Sequence, residues 1–110
     1  MSDPRLRTLK IKTGVVKRLA KEKFTYEKEV KTEEARLQRF KDEGKDESDI
    51  KKQEEVLQET VCMVPDCQRR LQKAYEELQS ILDTEQDLKE QEDYLNAVKV
   101  MEEAKNSLAN

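Results

Sequence analysis

The sequence predicts an all-α protein: an elongated three-helix bundle whose helices run up, down and up with left-handed, coiled-coil-like packing. Apolar residues recur every seven positions in the middle of the chain. Such a repeat keeps one narrow stripe of a helix against its neighbour. The 110 residues include only two Gly and two Pro, and 43% of them are charged, a composition that suits long helices better than a fold with many turns. A chain of this length is expected to form one domain, covering 1–110.

The first helix is predicted over about residues 4–41. Asp3 can cap its start, and Pro4 suits the first helical position. Gly14 costs about 1 kcal/mol relative to Ala, but the apolar pattern stays in phase on both sides of it. We therefore predict one long helix rather than a later start at Thr13. The seam has polar interruptions at Lys12, Lys23 and Glu33, and its apolar positions are Leu9, Val16, Leu19, Tyr26, Val30, Leu37 and Phe40.

A polar connector at 41–47 separates the first two helices. Gly44 within it suits the left-handed conformation that often ends a helix. Asp46 or Ser48 can cap the second helix, which is predicted over about residues 49–83. Its seam consists of Ile50, Leu57, Val64, Leu71 and Leu78, with Thr60, Cys67, Ala74 and Ile81 between them and the polar Gln53 as an exception.

Pro65 lies inside the predicted second helix. It has no N–H group, and its ring crowds the carbonyl of Val61 one turn earlier. The seven-residue repeat nevertheless crosses the proline in phase, since Val64 and Leu71 remain seven positions apart. We therefore predict that helix 2 is kinked at Pro65. A chain reversal at this proline, which would give four helices, is the alternative.

The third helix is predicted over about residues 85–108 and is shorter than the others. Thr84 and Asp87 have the spacing of a capping box at its start. Its expected apolar face consists of Leu88, Leu95, Val98, Met101, Ala104 and Leu108. At 1.5 Å per residue, the first two helices would be roughly 55 Å long and the third roughly 35 Å.

This difference in length predicts where a partner could bind. The third helix would run out early, so that residues from about 27 to 59 form a two-helix hairpin without a third layer. Incompletely covered apolar residues commonly mark partner sites. In this hairpin they would be Val30, Leu37, Phe40, Ile50 and Leu57.

The charges are distributed unevenly along the chain. Residues 1–23 carry eight Lys or Arg against two acids, whereas residues 83–103 carry eight Asp or Glu against two Lys. In an up-down-up bundle the third helix is parallel to the first, so its acidic start would lie beside the basic start of the first. We interpret the asymmetry mainly as this internal pairing. A basic face for an acidic partner is the alternative.

The residues that most enzymes rely on are absent from the sequence. The chain has no His, the commonest general acid and base, and two glycines are too few for a Gly-rich phosphate loop. Cys62 and Cys67 are five positions apart, about 140° around a helix, and no further Cys or His could complete a zinc site. We therefore expect no catalysis, no cofactor and no metal. Cys67 on the seam should be buried, Cys62 should be partly exposed, and reduced thiols fit the cytosol.

Nucleic acids and membranes are not expected partners. The basic excess of the N-terminal stretch is small, and five aromatic residues give few platforms on which bases could stack. The sequence has no apolar run of 18 residues. The basic N-terminus also lacks the apolar segment of a signal peptide.

Three segments resemble the tubulin-binding cofactor A family in order and spacing. They are LKIKTGVVKRLAKEKFTYEKEV at 9–30, DIKKQEEVLQE at 49–59 and MVPDCQRRLQKAYEELQSIL at 63–82. Within them, IKTGVVKRL and PDCQRRL are specific strings rather than generic coiled-coil sequence, and the opening SDPRLRTLK also fits. From about residue 85 the chain resembles the family only in character.

The resemblance implies a small cytoplasmic chaperone, associated with the cytoskeleton, that works without nucleotide or metal. It implies capture of β-tubulin released from the chaperonin and its transfer toward assembly with α-tubulin. Other tubulin-folding cofactors would be indirect partners, and we expect a monomer rather than a homodimer. The alternative function is a self-associating coiled-coil adaptor or scaffold, whose helices would pair between chains.

Binding in that family is attributed to helical surfaces rather than loops, which directs attention to exposed positions on the first two helices. Positive side chains would steer the encounter and pair with acidic groups of tubulin, and Pro65 would set a bend that matches the partner's curvature. The expected partner-binding residues are Lys12, Lys17, Arg18, Lys21 and Tyr26 on the first helix and Lys51, Lys52, Pro65, Asp66, Arg69 and Arg70 on the second.

Overall fold

Three helices make up the computed structural model, which describes residues 3–109. Helix α1 spans Pro4–Asp42, α2 spans Glu47–Thr84 and α3 spans Glu92–Leu108. A single 3₁₀ turn, Gln86–Leu88, lies between α2 and α3. The molecule measures 65 × 23 × 16 Å, so the predicted elongated all-α bundle is confirmed.

Local sequence signals account for both ends of α1. The Asp3 carboxylate caps the start by accepting the Arg5 N–H at 2.9 Å. At the other end Gly44 adopts a left-handed φ of +68°, a conformation that costs glycine little. The Lys45 N–H then bonds the Phe40 carbonyl at 3.0 Å, which completes a Schellman motif. Gly14 lies within the continuous helix, so the prediction of one long first helix is confirmed.

Helix α2 is also continuous along its whole length. Asp46 is its N-cap, with the side chain accepting the Asp49 N–H at 3.1 Å. The helix runs through Pro65 without a break, so the alternative of a chain reversal there is wrong. The kink at Pro65 stays a prediction.

The start of the third helix corrects the sequence-based prediction. Helix α3 begins at Glu92 rather than near residue 85. Thr84 is still the last residue of α2, so it does not form a capping box with Asp87. The Asp87 carboxylate instead accepts two hydrogen bonds from the Arg5 guanidinium, at 2.8 and 3.1 Å. A tertiary ion pair has replaced the local cap.

The later start also changes the face that α3 buries. Leu95 and Val98, both expected to be inside, are 58% and 37% exposed. Tyr94 is buried instead, and its hydroxyl donates to the Leu82 carbonyl at 2.9 Å, which joins the first turn of α3 to the last turn of α2. The buried stripe of α3 consists of Tyr94, Ala97, Val100, Met101 and Ala104.

Two contacts at opposite ends of α3 fix its direction. At its start, Arg5 of α1 bonds Glu85 and Asp87 in the segment that precedes α3. At its end, Lys23 of α1 donates to the Ser107 carbonyl. Helix α3 is therefore parallel to α1, as an up-down-up bundle requires. The basic start of the chain does pair with acids, although these acids lie just before α3 rather than within it.

Lys23 is the most unusual residue of the core. Its side chain is only 2% exposed, whereas a lysine is rarely buried unless it is paired. The ammonium group bonds the Ser107 carbonyl and lies 3.6 Å from a Glu27 carboxylate oxygen. A cation at this position also complements the negative end of the α3 dipole.

Helix α3 covers only half of the α1–α2 hairpin. The Gln68 amide donates to the Leu108 carbonyl at 3.3 Å, so α3 ends level with Lys23 and Gln68. Beyond that level lie residues 24–42 of α1 and 47–67 of α2, which we call the uncovered hairpin. The predicted two-layer hairpin is thus confirmed. Its apolar seam is half-buried, as seen at Val30, Leu37, Phe40, Ile50 and Leu57.

A polar contact replaces apolar core inside the uncovered hairpin. Gln53 is 6% exposed, and its amide donates to the Glu33 carbonyl at 3.3 Å and to the Glu33 carboxylate at 2.6 Å. Both residues were predicted to be polar exceptions on their seams. A buried polar pair tolerates few alternative alignments, so this contact favours one register of the two helices.

Replacing Arg5 by Gln tests the ion pairs at the start of the bundle. Arg5 holds the pKa of Asp3 and Asp87 below the usual 3.8, so both carboxylates contribute stability above about pH 4. They lose it as the pH falls from 3.8 through the lowered pKa values, because the unfolded chain binds protons more readily. R5Q should therefore have a lower melting temperature than the wild type at neutral pH. The difference between the two melting temperatures should become smaller below pH 3.8. Arg7→Gln, an exposed neighbour, is the control. A difference that stays constant in acid would contradict this account.

Lys23→Met should destabilise the bundle by about 1–3 kcal/mol. Methionine keeps most of the buried stem but loses the hydrogen bond and the charge at the end of α3. Urea unfolding measures the difference. Lys28→Met, at an exposed position of the same helix, should stay within about 0.5 kcal/mol of the wild type. Equal stability of all three proteins would show that the buried ammonium contributes nothing.

Candidate partner-binding surface

The candidate functional residues lie on open helix surfaces. Among residues 3–109, no three His, Cys, Asp or Glu side chains form a group that could hold a metal ion. No helix within the same range is long and apolar enough to cross a membrane. Shallow clefts lie beside and between the helices, and two of them are candidate binding surfaces.

The first is a polar cleft between α1 and α2. It brings the predicted residues Arg18 and Arg70 to one place, together with Lys73. It lies on the side of the hairpin away from α3: Gln68 contacts the end of α3, and Arg70, two residues later, points about 200° away around the helix. The polar cleft is lined by Val15, Arg18, Leu19, Glu22, Arg70, Lys73, Ala74 and Glu77.

Four basic side chains in or near the polar cleft form ion pairs within the chain. Arg70 lies 3.2 Å from the Asp66 carboxylate, and Arg69 lies 3.6 Å from the same group. Arg18 lies 3.8 Å from Glu22, and Lys12 lies 3.5 Å from Glu77 across the hairpin. Exposed pairs of this kind contribute little to stability. Exchanging them for pairs with a partner would therefore cost the fold little.

The second feature is an apolar groove of about 400 Å³ that begins where α3 ends. Its apolar residues are Val30 of α1 and Val61, Val64 and Pro65 of α2. Its charged residues, all on α1, are Glu27, Lys31 and Glu34. On α2, Val61 and Val64 lie one to two turns before Gln68, the residue that contacts the end of α3. The groove is therefore the continuation of the trough that α3 fills.

An exposed aromatic residue lies next to this groove. Phe24 is 66% exposed, and it lies on the same face of α1 as Glu27 and Lys31, three and seven positions later. An isolated exposed leucine is common on protein surfaces. A large exposed apolar side chain beside an apolar groove, in contrast, commonly marks a site of contact with a partner. The apolar lining of the groove itself consists of Val30, Val61, Val64 and Pro65, so Phe24 lies beside the charged edge of the groove rather than in it.

The structure divides the predicted binding residues among several surfaces. The side away from α3 holds Arg18 and Arg70, and Lys21 and Tyr26 line a smaller cleft beside Arg18 on α1. Pro65 is the one predicted residue in the apolar groove. Lys17 is exposed on α1, and Lys51 and Lys52 are exposed near the connector.

Phe24, Val61 and Val64 were not among the predicted binding residues, and Val30 was expected only as an incompletely covered residue of the seam. Phe24 and Val61 lie outside the seven-residue repeats that were used to find the seams. The sequence signal for both residues was an apolar side chain at a position that the packing of two helices leaves exposed to water.

The cysteines lie where the repeat placed them. Cys67 is buried, at 1% exposed, and Cys62 is exposed; neither forms a disulfide. Burial raises the pKa of the Cys67 thiol, which keeps it protonated and unreactive. Both predictions are confirmed.

A helical rod with a bare two-helix extension, a polar cleft on the side away from α3 and an apolar groove where α3 ends has the architecture of a binding protein. The family model described as tubulin binding cofactor A matches residues 4–101. The chain is 54% identical over 105 residues to tubulin-specific chaperone A of Homo sapiens, a match that covers 96% of this chain and 97% of the human protein. The chain belongs to the tubulin binding cofactor A family.

Solved structures agree with this assignment. The fold superposes on human tubulin chaperone cofactor a with a TM-score of 0.80 and 52% identity, covering 93% of this chain and 99% of the human chain. It superposes on tubulin folding cofactor A from Arabidopsis thaliana with a TM-score of 0.85 and 40% identity, covering 94% of this chain and 97% of the plant chain.

Pro65→Ala should raise the free energy of unfolding by roughly 1–3 kcal/mol. Alanine restores the N–H that proline cannot offer to the Val61 carbonyl and removes the crowding by the ring. Pro65 is exposed, so little packing is lost. Urea unfolding measures the change, and Pro4→Ala is the matched control, because proline is well tolerated at the first helical position. A loss of stability in P65A would mean that packing around α2 depends on the proline.

Proposed function

We propose that this protein is a tubulin-folding cofactor that captures β-tubulin released from the chaperonin. It holds the β-tubulin without hydrolysing nucleotide and passes it on toward assembly of the αβ heterodimer. The observation that carries the proposal is family membership over nearly the whole chain, at 54% identity to a tubulin-specific chaperone. We place this activity in the cytoplasm.

The architecture supports a holding role. A holding chaperone needs a large accessible surface and no catalytic pocket. The uncovered hairpin supplies such a surface, with half-buried and exposed apolar residues along it. Charged residues make up 43% of the chain, and they would keep the protein dissolved while it covers an apolar surface of its client.

The basic residues would act mainly during encounter. Arg18 and Arg70 are 66% and 62% exposed and already pair with acids of their own chain. Acidic groups of the client could replace those intramolecular partners. Exposed charges of this kind raise the association rate more than the final affinity. We propose the same role for Lys12, Lys17, Lys21, Lys51, Lys52 and Arg69, with Tyr26 and Asp66 as neighbouring contacts.

We propose that the protein acts as a monomer. The apolar seams of α1 and α2 already pack against each other within one chain, and α3 packs against both. A self-associating scaffold would instead need apolar seams that pair between chains. Light scattering over a concentration series separates the two functions. A mass that stays at 13.0 kDa favours the cofactor, and a mass that rises with concentration favours the scaffold.

The decisive experiment mixes the purified chain with β-tubulin freshly released from the chaperonin, in the absence of nucleotide. Size-exclusion chromatography should show a complex that contains both proteins, and α-tubulin under the same conditions should give less. Absence of a complex with β-tubulin even at low salt would overturn the proposed function.

Charge reversal of the polar cleft tests its role in steering. The double variant Arg18→Glu with Arg70→Glu should slow association with β-tubulin roughly tenfold at low salt and much less at high salt. The dissociation rate should change little. Arg39→Glu is the control, because Arg39 is 62% exposed but lies near the tip of α1. Equal association rates for the double variant and the wild type would contradict steering by this cleft.

Tubulin binding by Pro65→Ala tests whether the predicted bend at Pro65 has a function. If the partner recognises the bend, P65A should bind more weakly although it is more stable. Unchanged affinity together with higher stability would limit Pro65 to a structural role.

A further inference from the structure

We infer that the surface around Gly14 on α1 is a docking site for an acidic segment of the client, whose backbone crosses α1 at the glycine. The inference rests on the proposed function, which supplies the client. It adds a contact site centred outside the polar cleft and the apolar groove, and it specifies the chemistry of the segment that occupies this site.

Gly14 is an exposed glycine in the interior of a long helix. Apart from proline, glycine is the least favourable residue at such a position. Its backbone does not require a glycine, because Gly44 is the one glycine with a positive φ. Packing does not require one either: among the residues that the structure describes, no neighbouring side chain or other helix would lie within 4 Å of an added Cβ atom. A partner whose backbone comes close to α1 would require a glycine here.

Four exposed side chains surround Gly14, three or four positions away along the helix. They are those of Lys10, Ile11, Lys17 and Arg18, which together with Gly14 we call the Gly14 surface. Lys10 and Lys17 form no ion pair within residues 3–109. Arg18, which also lines the polar cleft, lies 3.8 Å from Glu22. Three cations and one aliphatic side chain therefore surround a position that has no side chain of its own.

The positive charge of the Gly14 surface is not balanced by the rest of the fold. Residues 4–21 include no Asp or Glu. Acids of α2 and of the segment before α3 bind Lys12 and Arg5, but these two residues point about 160° and 180° away from Gly14. The Gly14 surface therefore lies on the side of α1 that faces away from those acids, and an acidic partner is favoured there.

The residues around the glycine indicate the composition of the occupant. Arg7 and Lys21, seven positions to either side of Gly14, are also exposed and extend the positive charge over about 21 Å. Carboxylates are thus favoured on both sides of the point where the segment crosses. Ile11 is 56% exposed and offers an aliphatic contact beside the glycine. The occupant that fits is a peptide with one apolar residue near the crossing and Asp or Glu on both flanks.

Two other classes of partner fit this surface less well. In a symmetric dimer centred on Gly14, Lys10 and Lys17 of one chain would face the same cations of the other chain. A nucleic acid would find no aromatic side chain within residues 4–21 on which a base could stack. An acidic peptide meets neither difficulty.

Gly14→Gln tests the crossing, with Thr8→Gln as its matched control. Thr8 is also exposed on α1, but it points about 120° away from Gly14. G14Q should melt about 4 °C higher than the wild type, because Gln favours a helix more than Gly does. It should nevertheless bind β-tubulin roughly tenfold more weakly, because its side chain fills the space of the partner's backbone. T8Q should bind within about twofold of the wild type.

The outcomes separate this inference from the proposed function. Failure of the wild type to bind β-tubulin overturns the proposed function, and the inference falls with it. Normal binding by both the wild type and G14Q overturns the inference alone. Equal weakening by G14Q and T8Q also overturns it, because the contact would then not be specific to the glycine.

Charge reversal tests whether the segment is acidic. The double variant Lys10→Glu with Lys17→Glu should dissociate from β-tubulin roughly tenfold faster, whereas a steering role alone would change only the association rate. Lys89→Glu with Lys99→Glu is the control, because both residues are exposed and the net charge changes by the same amount. Equal dissociation rates for the two double variants would overturn the inference.

A carbodiimide, which joins a lysine amine to a carboxylate in contact with it, identifies the occupant directly. Mass spectrometry of the complex should find Lys10 or Lys17 joined to Asp or Glu of one short segment of β-tubulin, and G14Q should lose these links. Links from Lys10 and Lys17 only to a second copy of this chain would overturn the inference. Links to β-tubulin from Lys51 or Lys52 but from neither Lys10 nor Lys17 would also overturn it.

Discussion

The position at which α3 stops determines most of what this molecule can do. Lys23 and Gln68 bind the last carbonyl groups of α3, and the three-layer core ends at that level. On one side of it, apolar side chains from three helices bury one another. On the other side two helices face each other alone, and a two-helix contact leaves part of each seam in water. The bare surface available for binding is therefore a direct result of the length of the third helix.

The sequence was sufficient to predict the features that depend on spacing and length. Periodicity alone placed Leu71 and Cys67 inside and identified Pro65 as a residue that the helix tolerates, because neither inference needs knowledge of a distant partner. Gly44 could be placed at a helix end for the same reason: its left-handed backbone is a local property. That the third helix is too short to cover the whole hairpin could be predicted from the number of residues in each helix.

The features that the sequence did not predict depend on contacts between distant residues. Asp87 has the spacing of a local cap, but it binds Arg5, 82 positions away, and α3 begins only at Glu92. That shift rotates the buried face, so Leu95 is exposed and Tyr94 is buried. Lys23 was expected only as a polar interruption of the seam, and it binds the end of another helix. The family name itself came from a resemblance between sequences, since no periodicity specifies tubulin.

The polar contact between Gln53 and Glu33 has a consequence for motion. The uncovered hairpin buries few side chains, and its closure depends on this hydrogen-bonded pair and a half-buried seam. Segments with few buried contacts open locally at a lower free energy than the rest of a protein. The two helix tips should thus separate and close again while the three-layer end stays intact, with amide protons exchanging faster toward the connector. This local opening would let the spacing between the two helices of the uncovered hairpin adjust to a client, while the three-helix end keeps its shape.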